Sequence, residues 1–439
     1  MRFFLSAVLL VSAGLVSTGC DSLFDAENSV IVDEDDIIRS GYPGALLLAR
    51  GPYDRLANVL DNIAVYGAVA TDEGNAHSGQ VTFADLDTGD WTPATPEVNF
   101  TYAGLQDARG QATRFLDEFL DRIDVADGLP ASAGVTAEVR TETFRDYATL
   151  MRGWATLYLG FMFEQVNFDQ QAPVSPDEAI RMAITDLQAV RNGGGEDVFE
   201  GIALKEAAAT LLARAYLQLG DYDAAADAAE DGYAPSTAGD GQITAVYTSS
   251  TFNGINGNAI FSSVGDEDET EKIWSMTAFY ADQGETDARV AVDSTTAGGD
   301  PFVQSADNNL EEQGIALGYV SPLVLEKYLA SSVLNQPVRL LAWQDSDLTR
   351  AEALIRMDDV EGGVDLINDV RAAARQPDGS PLPEVSASDV PSALALVRAE
   401  RRVEFAAENA DRFVTLRRFG VLQEYSGGPY AFPIPNTEL

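Results

Sequence analysis

Apolar positions fall at helical spacing over most of the chain and lose that spacing in two long stretches. From Gly44 to Val69, Leu46, Leu56, Leu60 and Ile63 recur at the interval of a helix with one buried stripe. The spacing returns over Tyr102–Asp124, Thr141–Glu164 and Glu178–Val190. Ser175 stands as the N-cap of the last of these, with Glu178 three residues on, the interval of a capping box. Lys205–Pro235 gives the sharpest pattern. Its first half carries Leu211, Leu212, Ala215 and Leu219 on one stripe, Gly220-Asp221 makes a turn, and Tyr222, Ala225, Ala226 and Ala229 offer a small-residue face.

The order A-Y-x-x-x-G-D-Y-x-x-A within that stretch resembles one tetratricopeptide helix pair. Helix is expected again at Pro322–Leu329. A second pair is expected in RLLAWQDSDLTRAEALIRMDDVEGGVDLINDVRAAAR, with Asp358-Asp359 near its turn. Val390–Glu424 is helical in pattern and rich in arginine and glutamate. Residues 70–102 and 236–320 lack helical period and are rich in Gly, Ser, Thr, Asp and Asn, so both read as long irregular insertions of the functional kind. The fold class expected is mostly α: a scaffold over about 41–70, 102–235 and 321–424, interrupted by those insertions, in a single domain from 41 to 439.

Charge narrows the partners. Seventy acidic residues face 28 basic ones, a net charge of −42, and the acids are spread along the chain. Such a surface repels phosphate backbones and excludes nucleic acid as a partner. It suits high salt, where ions screen self-repulsion and carboxylates keep the surface hydrated; cation binding is the alternative, and the spread of the acids favours salt adaptation. One histidine, His77, excludes motifs that need two, and one cysteine excludes both an internal disulfide and a Cys-based metal site. DLDTGDW (Asp85, Asp87, Asp90) lacks the sixth-position glycine and the twelfth glutamate of a calcium loop, so no metal and no cofactor are expected. G-x-S-x-G, P-loop and dinucleotide fingerprints are missing from the sequence.

The single cysteine lies at the end of an N-terminal segment with a basic start at Arg2, an apolar run from Phe3 to Val16, and small residues Ser17, Thr18 and Gly19. That is the layout of an export signal, too short to span a bilayer comfortably. A small residue directly before Cys20 resembles the bacterial lipobox, although Ser17 occupies a place that usually holds a large aliphatic residue. Residues 1–19 are read as a signal peptide and 20–40 as a lipidated, acidic tether, with acyl chains on Cys20 giving stable membrane anchoring.

Late motifs add a family. RAEALIRMDDVEGGVDLINDVRAAAR resembles the helix pair that SusD/RagB proteins carry before their last segment. ERRVEFAAENADRFVTLRRFG resembles the family's late signature, with Glu408, Arg412, Leu416, Arg418 and Gly420 matching and Thr415 where an Asp is common. FPIPNTEL resembles its closing P-I-P-x-x-E motif. The resemblance implies a tetratricopeptide-like scaffold whose insertions build a ligand face. It also implies a lipid-anchored, surface-exposed outer-membrane protein that captures an oligomeric nutrient, a glycan above all, and hands it without chemistry to a TonB-dependent (SusC-like) barrel transporter.

Sugars are held by aromatic faces and by amides and carboxylates. The insertions supply two such sets: Asp72, Glu73, Asn75, His77 and Trp91, and Trp274, Phe279, Tyr280 and Asp282. Asp72, Asn75, Trp91, Trp274 and Tyr280 are the ligand candidates; Trp154 and Trp343 sit on helical patterns and belong to the core. The late cluster of Arg401, Arg402, Glu404, Glu408, Arg412, Arg417 and Arg418 reads as structural ion pairing. Two other functions remain open on residues alone. A glycoside hydrolase needs two convergent carboxylates, one with a raised pKa. A tetratricopeptide scaffold for envelope assembly would show a bare concave groove.

Overall fold

The computed structural model describes residues 34–76, 81–168, 172–237, 241–245, 274–293, 324–325 and 338–436. The first described helix, α1 (Glu34–Arg39), forms the end of the expected tether, and Glu34 pairs with Arg114 at 2.8 Å and Arg122 at 3.3 Å. Cys20 and the signal segment lie outside the described residues. Helix α2 (Tyr42–Val69) begins with Pro43 in its first turn, where a missing N–H costs nothing, and buries Leu56, Leu60 and Ile63 as the pattern requires.

The insertion expected over 70–102 is more ordered than its composition suggests. A short strand, β1 (Gly74–Ala76), is followed by helix α3 (Val81–Thr88), and helix α4 (Pro96–Arg114) starts six residues before the expected Tyr102. Past Arg114 the helix widens into a π turn over Phe115–Phe119 and tightens over Leu120–Arg122. Phe115 and Phe119 are both buried there.

Helix α5 (Ala137–Met162) is capped by the Thr136 hydroxyl and runs through the core. Phe144, Leu150, Met151, Trp154, Leu157, Tyr158 and Phe161 are all buried, and from Gly153 to Met162 the helix is buried on every side. Helix α6 (Pro176–Arg191) packs antiparallel to it, and the Ser175 hydroxyl accepts the Glu178 N–H at 3.2 Å as the cap spacing predicted. A small ribbon of β2 (Val198–Phe199) and β3 (Ile202–Ala203) leads into α7 (Leu204–Leu219) and α8 (Tyr222–Glu230). Gly220 ends α7 with φ 78°, the left-handed turn that glycine makes at least cost, and Asp221 caps α8. This is the expected tetratricopeptide-like hairpin.

Strand β4 (Gln242–Ala245) pairs antiparallel with β8 (Val338–Ala342) further on. Between them come β5 (Trp274–Met276), α9 (Ala278–Gly284), β6 (Val292–Asp293) and β7 (Val324–Leu325). The described part of the expected helix Pro322–Leu329 is thus strand β7, paired with β6. Two β-branched or aliphatic residues in a row carry no periodicity that separates helix from strand.

The second hairpin is α10 (Trp343–Arg356) and α11 (Val360–Ala373), with Asp358 at φ 72° in the turn and Asp359 capping α11. Helix α12 (Val390–Glu404), α13 (Asp411–Arg418) and α14 (Leu422–Ser426) complete the chain's described helices. Contacts run in series from α5 to α6, α7, α8, α10, α11 and α12, a stack of hairpins with α2 and α4 along one side. A satellite core under α10, α11 and α12 gathers Leu348, Ile355, Val364, Ile367, Val370 and Val397. Strands among the described residues form only two-stranded antiparallel ribbons, and none of the described helices is long and apolar enough to cross a membrane.

Candidate functional site

Strand pairing brings together the two sets of candidate residues that the sequence keeps about two hundred positions apart. In the β1–β5 ribbon Gly74 lies opposite Met276, Asn75 opposite Ser275 and Ala76 opposite Trp274. The ends of the ribbon are tied as well. The Thr277 N–H donates to the Glu73 carbonyl at 2.9 Å and the Thr277 hydroxyl to the Asp72 carbonyl at 3.0 Å, while the Ala76 N–H reaches the Asp87 carboxylate of α3 at 3.1 Å.

The ribbon is fixed to the C-terminal helices by arginines. Arg412 of α13 donates from Nε to Asp72 Oδ1 at 2.7 Å and from Nη2 to Oδ2 at 3.0 Å, a bidentate pair. Arg402 of α12 donates to the Asp72 backbone carbonyl at 2.9 Å and lies 3.0 Å from its carboxylate. Its guanidinium carbon sits 3.5 Å from the centre of the Phe279 ring, a cation–π contact. Behind Asp72, Glu73 is buried and accepts a 2.6 Å hydrogen bond from the Tyr280 hydroxyl. Burial pushes the Glu73 carboxyl up to about 7, although the Tyr280 hydroxyl and the Arg412 and Arg402 charges favour its ionised form. Burial raises Tyr280 well above the ordinary phenol range too.

The candidates therefore have different fates. Asp72 stays partly exposed with its carboxylate pre-oriented by Arg412. Asn75 sits in the ribbon, and its buried Nδ2 has no hydrogen-bond partner among the described residues. Trp274 is the ribbon residue opposite Ala76. Tyr280 is fully buried, with its hydroxyl on Glu73, and offers no exposed face. Trp91 is a correction: it is 4% exposed, stacked edge-on against Phe432 at 5.3 Å and near Phe413 at 6.4 Å, with its indole N–H on the Ala431 carbonyl. It packs the chain after α3 onto the C-terminus. His77 lies outside the described residues. Trp154 is fully buried and Trp343 packs against both cores.

Sequence reasoning missed Tyr425. It lies on α14 with its ring 5.0 Å from the Arg412 guanidinium carbon, and 38% of it is exposed. An exposed ring against a guanidinium that also orients a carboxylate offers an aromatic face and polar groups of the kind sugars use. Only its nearness to Arg412 in the fold reveals it, because a lone tyrosine in a short helix carries no pattern. Another concavity, about 580 Å³ and lined by Leu48, Gln106, Asp107, Gln111, Arg114 and Phe119 among others, shares no residue with the ribbon. Its charged groups are already engaged: Asp107 with Arg55 and Gln111, Arg114 with Glu34 and Glu118.

The late Arg/Glu cluster is structural, as its pattern implied. Glu404 meets Arg289 and Arg339, Glu408 meets Arg339, and Glu400 meets Arg289 and Arg371. Arg401 pairs with Asp411, and Arg417 donates to the carbonyls of Gly160, Phe161 and Phe163 at the end of α5. Arg418 forms a bidentate pair with Glu352 of α10 at 2.9 and 2.7 Å. Burial alone would raise the Glu352 carboxyl, but Arg418 and Arg356 hold it at about 2. Thr415, at the position where an Asp is common, accepts weakly from Arg418 at 3.4 Å; Glu352 supplies the carboxylate instead.

Residues 345–436, which supply at least one partner to each of these pairs, match the SusD family model. The C-terminal part of the chain is thus similar to the SusD family. The fold is the SusD fold across nearly the whole chain. A SusD superfamily protein from Bacteroides thetaiotaomicron VPI-5482 superposes with a TM-score of 0.66 at 16% identity, covering 91% of this chain and 97% of that one. A laminarin-binding SusD-like protein gives 0.67 at 18% identity, with 90% and 96% covered. A SusD-like carbohydrate-binding protein from Bacteroides fragilis NCTC 9343 gives 0.66 at 15%, with 88% and 87% covered. No curated protein matches this sequence. In SusD/RagB terms, the late signature is the part that grips Asp72, Trp91 and α5, so the family's most recognisable residues here build the wall on which the ribbon rests.

Proposed function

We propose that this protein captures an oligomeric nutrient, best read as a glycan, at the surface of the outer membrane and passes it unaltered to a TonB-dependent (SusC-like) barrel transporter. Lipid on Cys20 would hold it there. The observation that carries the reading is the β1–β5 ribbon: on a SusD fold, it sets Asn75 and Trp274 on paired strands next to Asp72, which Arg412 orients beside the exposed Tyr425. Hydrogen-bonding groups placed by a rigid support next to an aromatic face match what hydroxyl-rich ligands need. Carbohydrate binding by proteins of the same fold supports it.

Hydrolysis is the second reading, and Glu73 gives it its one support, a carboxyl raised towards neutrality. The geometry argues against it. Glu73 is 1% exposed and closed over by Tyr280, and the neighbouring carboxylate of Asp72 is engaged by Arg412, so neither is free to act on a glycosidic oxygen. Isothermal calorimetry against a panel of oligosaccharides, with Trp274→Ala and Tyr425→Ala as variants, tests capture. Chromatography of the same sugars after incubation tests hydrolysis. Binding lost in the variants with the sugars intact is the expected result; cleaved sugar would replace capture by hydrolysis.

A further inference from the structure

The Tyr280 hydroxyl has one proton and two acceptors. Glu73 Oε1 is 2.6 Å away and the Arg402 carbonyl 3.3 Å away. Both contacts are satisfied at once only if Glu73 brings a proton of its own. Its O–H then donates to Tyr280 Oη, and the Tyr280 O–H donates to the Arg402 carbonyl. If Glu73 ionises, the Tyr280 proton turns to the carboxylate, and the Arg402 carbonyl loses that donor.

We propose that Glu73 and Tyr280 are positioning residues that set the β1–β5 ribbon against α12 through a shared proton, so that the ribbon is held in its binding geometry when Glu73 is protonated and loosened when it is not. The functional consequence rests on the glycan-capture reading; the structural one does not. Every element around the pair takes part. Asp72 precedes Glu73 and adds a like charge, Arg402 comes from α12, Arg412 from α13, and Asp87 of α3 holds the far end of β1. Glu404 and Glu408, at the same end of α12, are turned to Arg289 and Arg339. The site guanidiniums hold Asp72, with Arg402 also hydrogen-bonded to Tyr280, while Glu73 is neutral, and face both carboxylates once it is charged. That titration falls near neutrality, since burial moves Glu73 up to about 7.

The test is hydrogen exchange by mass spectrometry on the full chain at pH 6 and pH 8.5, corrected for intrinsic rates, alongside calorimetry with the best-binding oligosaccharide. Peptides spanning Asp72–Ala76 and Trp274–Tyr280 should lose protection at the higher pH in wild type, and affinity should fall about fivefold, the equivalent of one hydrogen bond. Glu73→Gln, a permanently neutral donor, should keep its protection and affinity at both values. His77→Gln should behave as wild type. Tyr280→Phe removes the relay and should show equal exchange at both pH values even if Glu73→Gln does not fold. Wild-type protection unchanged between pH 6 and 8.5, or a pH effect abolished by His77→Gln, overturns the proposal. A protection change with no sugar bound at any pH leaves it standing and counts against glycan capture alone.

Discussion

Arg412 holds Asp72 across 340 positions of sequence, with Nε–Oδ1 at 2.7 Å and Nη2–Oδ2 at 3.0 Å. This pair joins the start of the ligand-face segment to the C-terminal family signature. It explains why a region matched as a family mark matters to a face built by residues far from it. A planar guanidinium fixes both oxygens of a carboxylate, which a lysine ammonium cannot do.

Removing the guanidinium should therefore cost more than a surface pair. Arg412→Met is expected to lower unfolding free energy by about 1–3 kcal/mol, since it leaves a largely buried carboxylate with Arg402 as its one remaining cationic partner among the described residues. Arg412→Lys should recover only part of that loss. Chemical denaturation of Arg412→Met, Asp72→Asn and the double variant measures it: the double variant should cost less than the two single changes added together.

Trp91 and Trp274 should separate folding from binding. Trp91→Ala empties a packed site among Phe413 and Phe432 and is expected to cost about 3–5 kcal/mol, with the affinity of the folded fraction unchanged. Trp274→Ala is expected to reduce oligosaccharide affinity about tenfold or more. Thermal melts and calorimetry on both variants check the contrast.

Acid should act through Glu352. Its folded carboxyl titrates at about 2, below the ordinary value of 4.5, so its pairing with Arg418 and Arg356 stabilises the fold above pH 4.5. That contribution is lost as pH falls from 4.5 towards 2, on the order of 3 kcal/mol in all. Glu352→Gln should be less stable than wild type at pH 6, and the difference should shrink steadily on acidification. Urea midpoints at pH 6, 4 and 3 give the comparison.

Salt should stabilise the protein. With a net charge of −42, screening of self-repulsion favours the compact state, so the melting temperature should climb as sodium chloride is raised from low concentration to the molar range. A flat or falling curve would argue against a salt-adapted surface.

The stacked hairpins were legible because their stripes, turns and caps are local. Gly220-Asp221, Ser175 and Asp359 each announce a boundary that the structure keeps. Helix α3 was not legible: eight residues with little amphipathic character form a helix only because the fold holds them, as when Asp87 binds the Ala76 N–H. The earlier start of α4 was signalled by Pro96, a first-turn proline, inside a stretch whose composition suggested a loop. The ribbon itself depends on pairing between strands two hundred residues apart, and nothing in a three-residue strand specifies its partner. Trp91 shows the limit for single side chains. An aromatic in a polar segment is equally suited to a ligand and to a core, and only the placement of Phe413 and Phe432 decides between them.

Capture at the ribbon is tested most directly by calorimetry of the wild-type protein with a series of oligosaccharides, repeated with Trp274→Ala after both proteins are shown to melt alike. A sugar that binds wild type, is recovered intact and is lost by the variant is the predicted result. Equal affinity in wild type and Trp274→Ala, or no binding to any glycan tried, would contradict it.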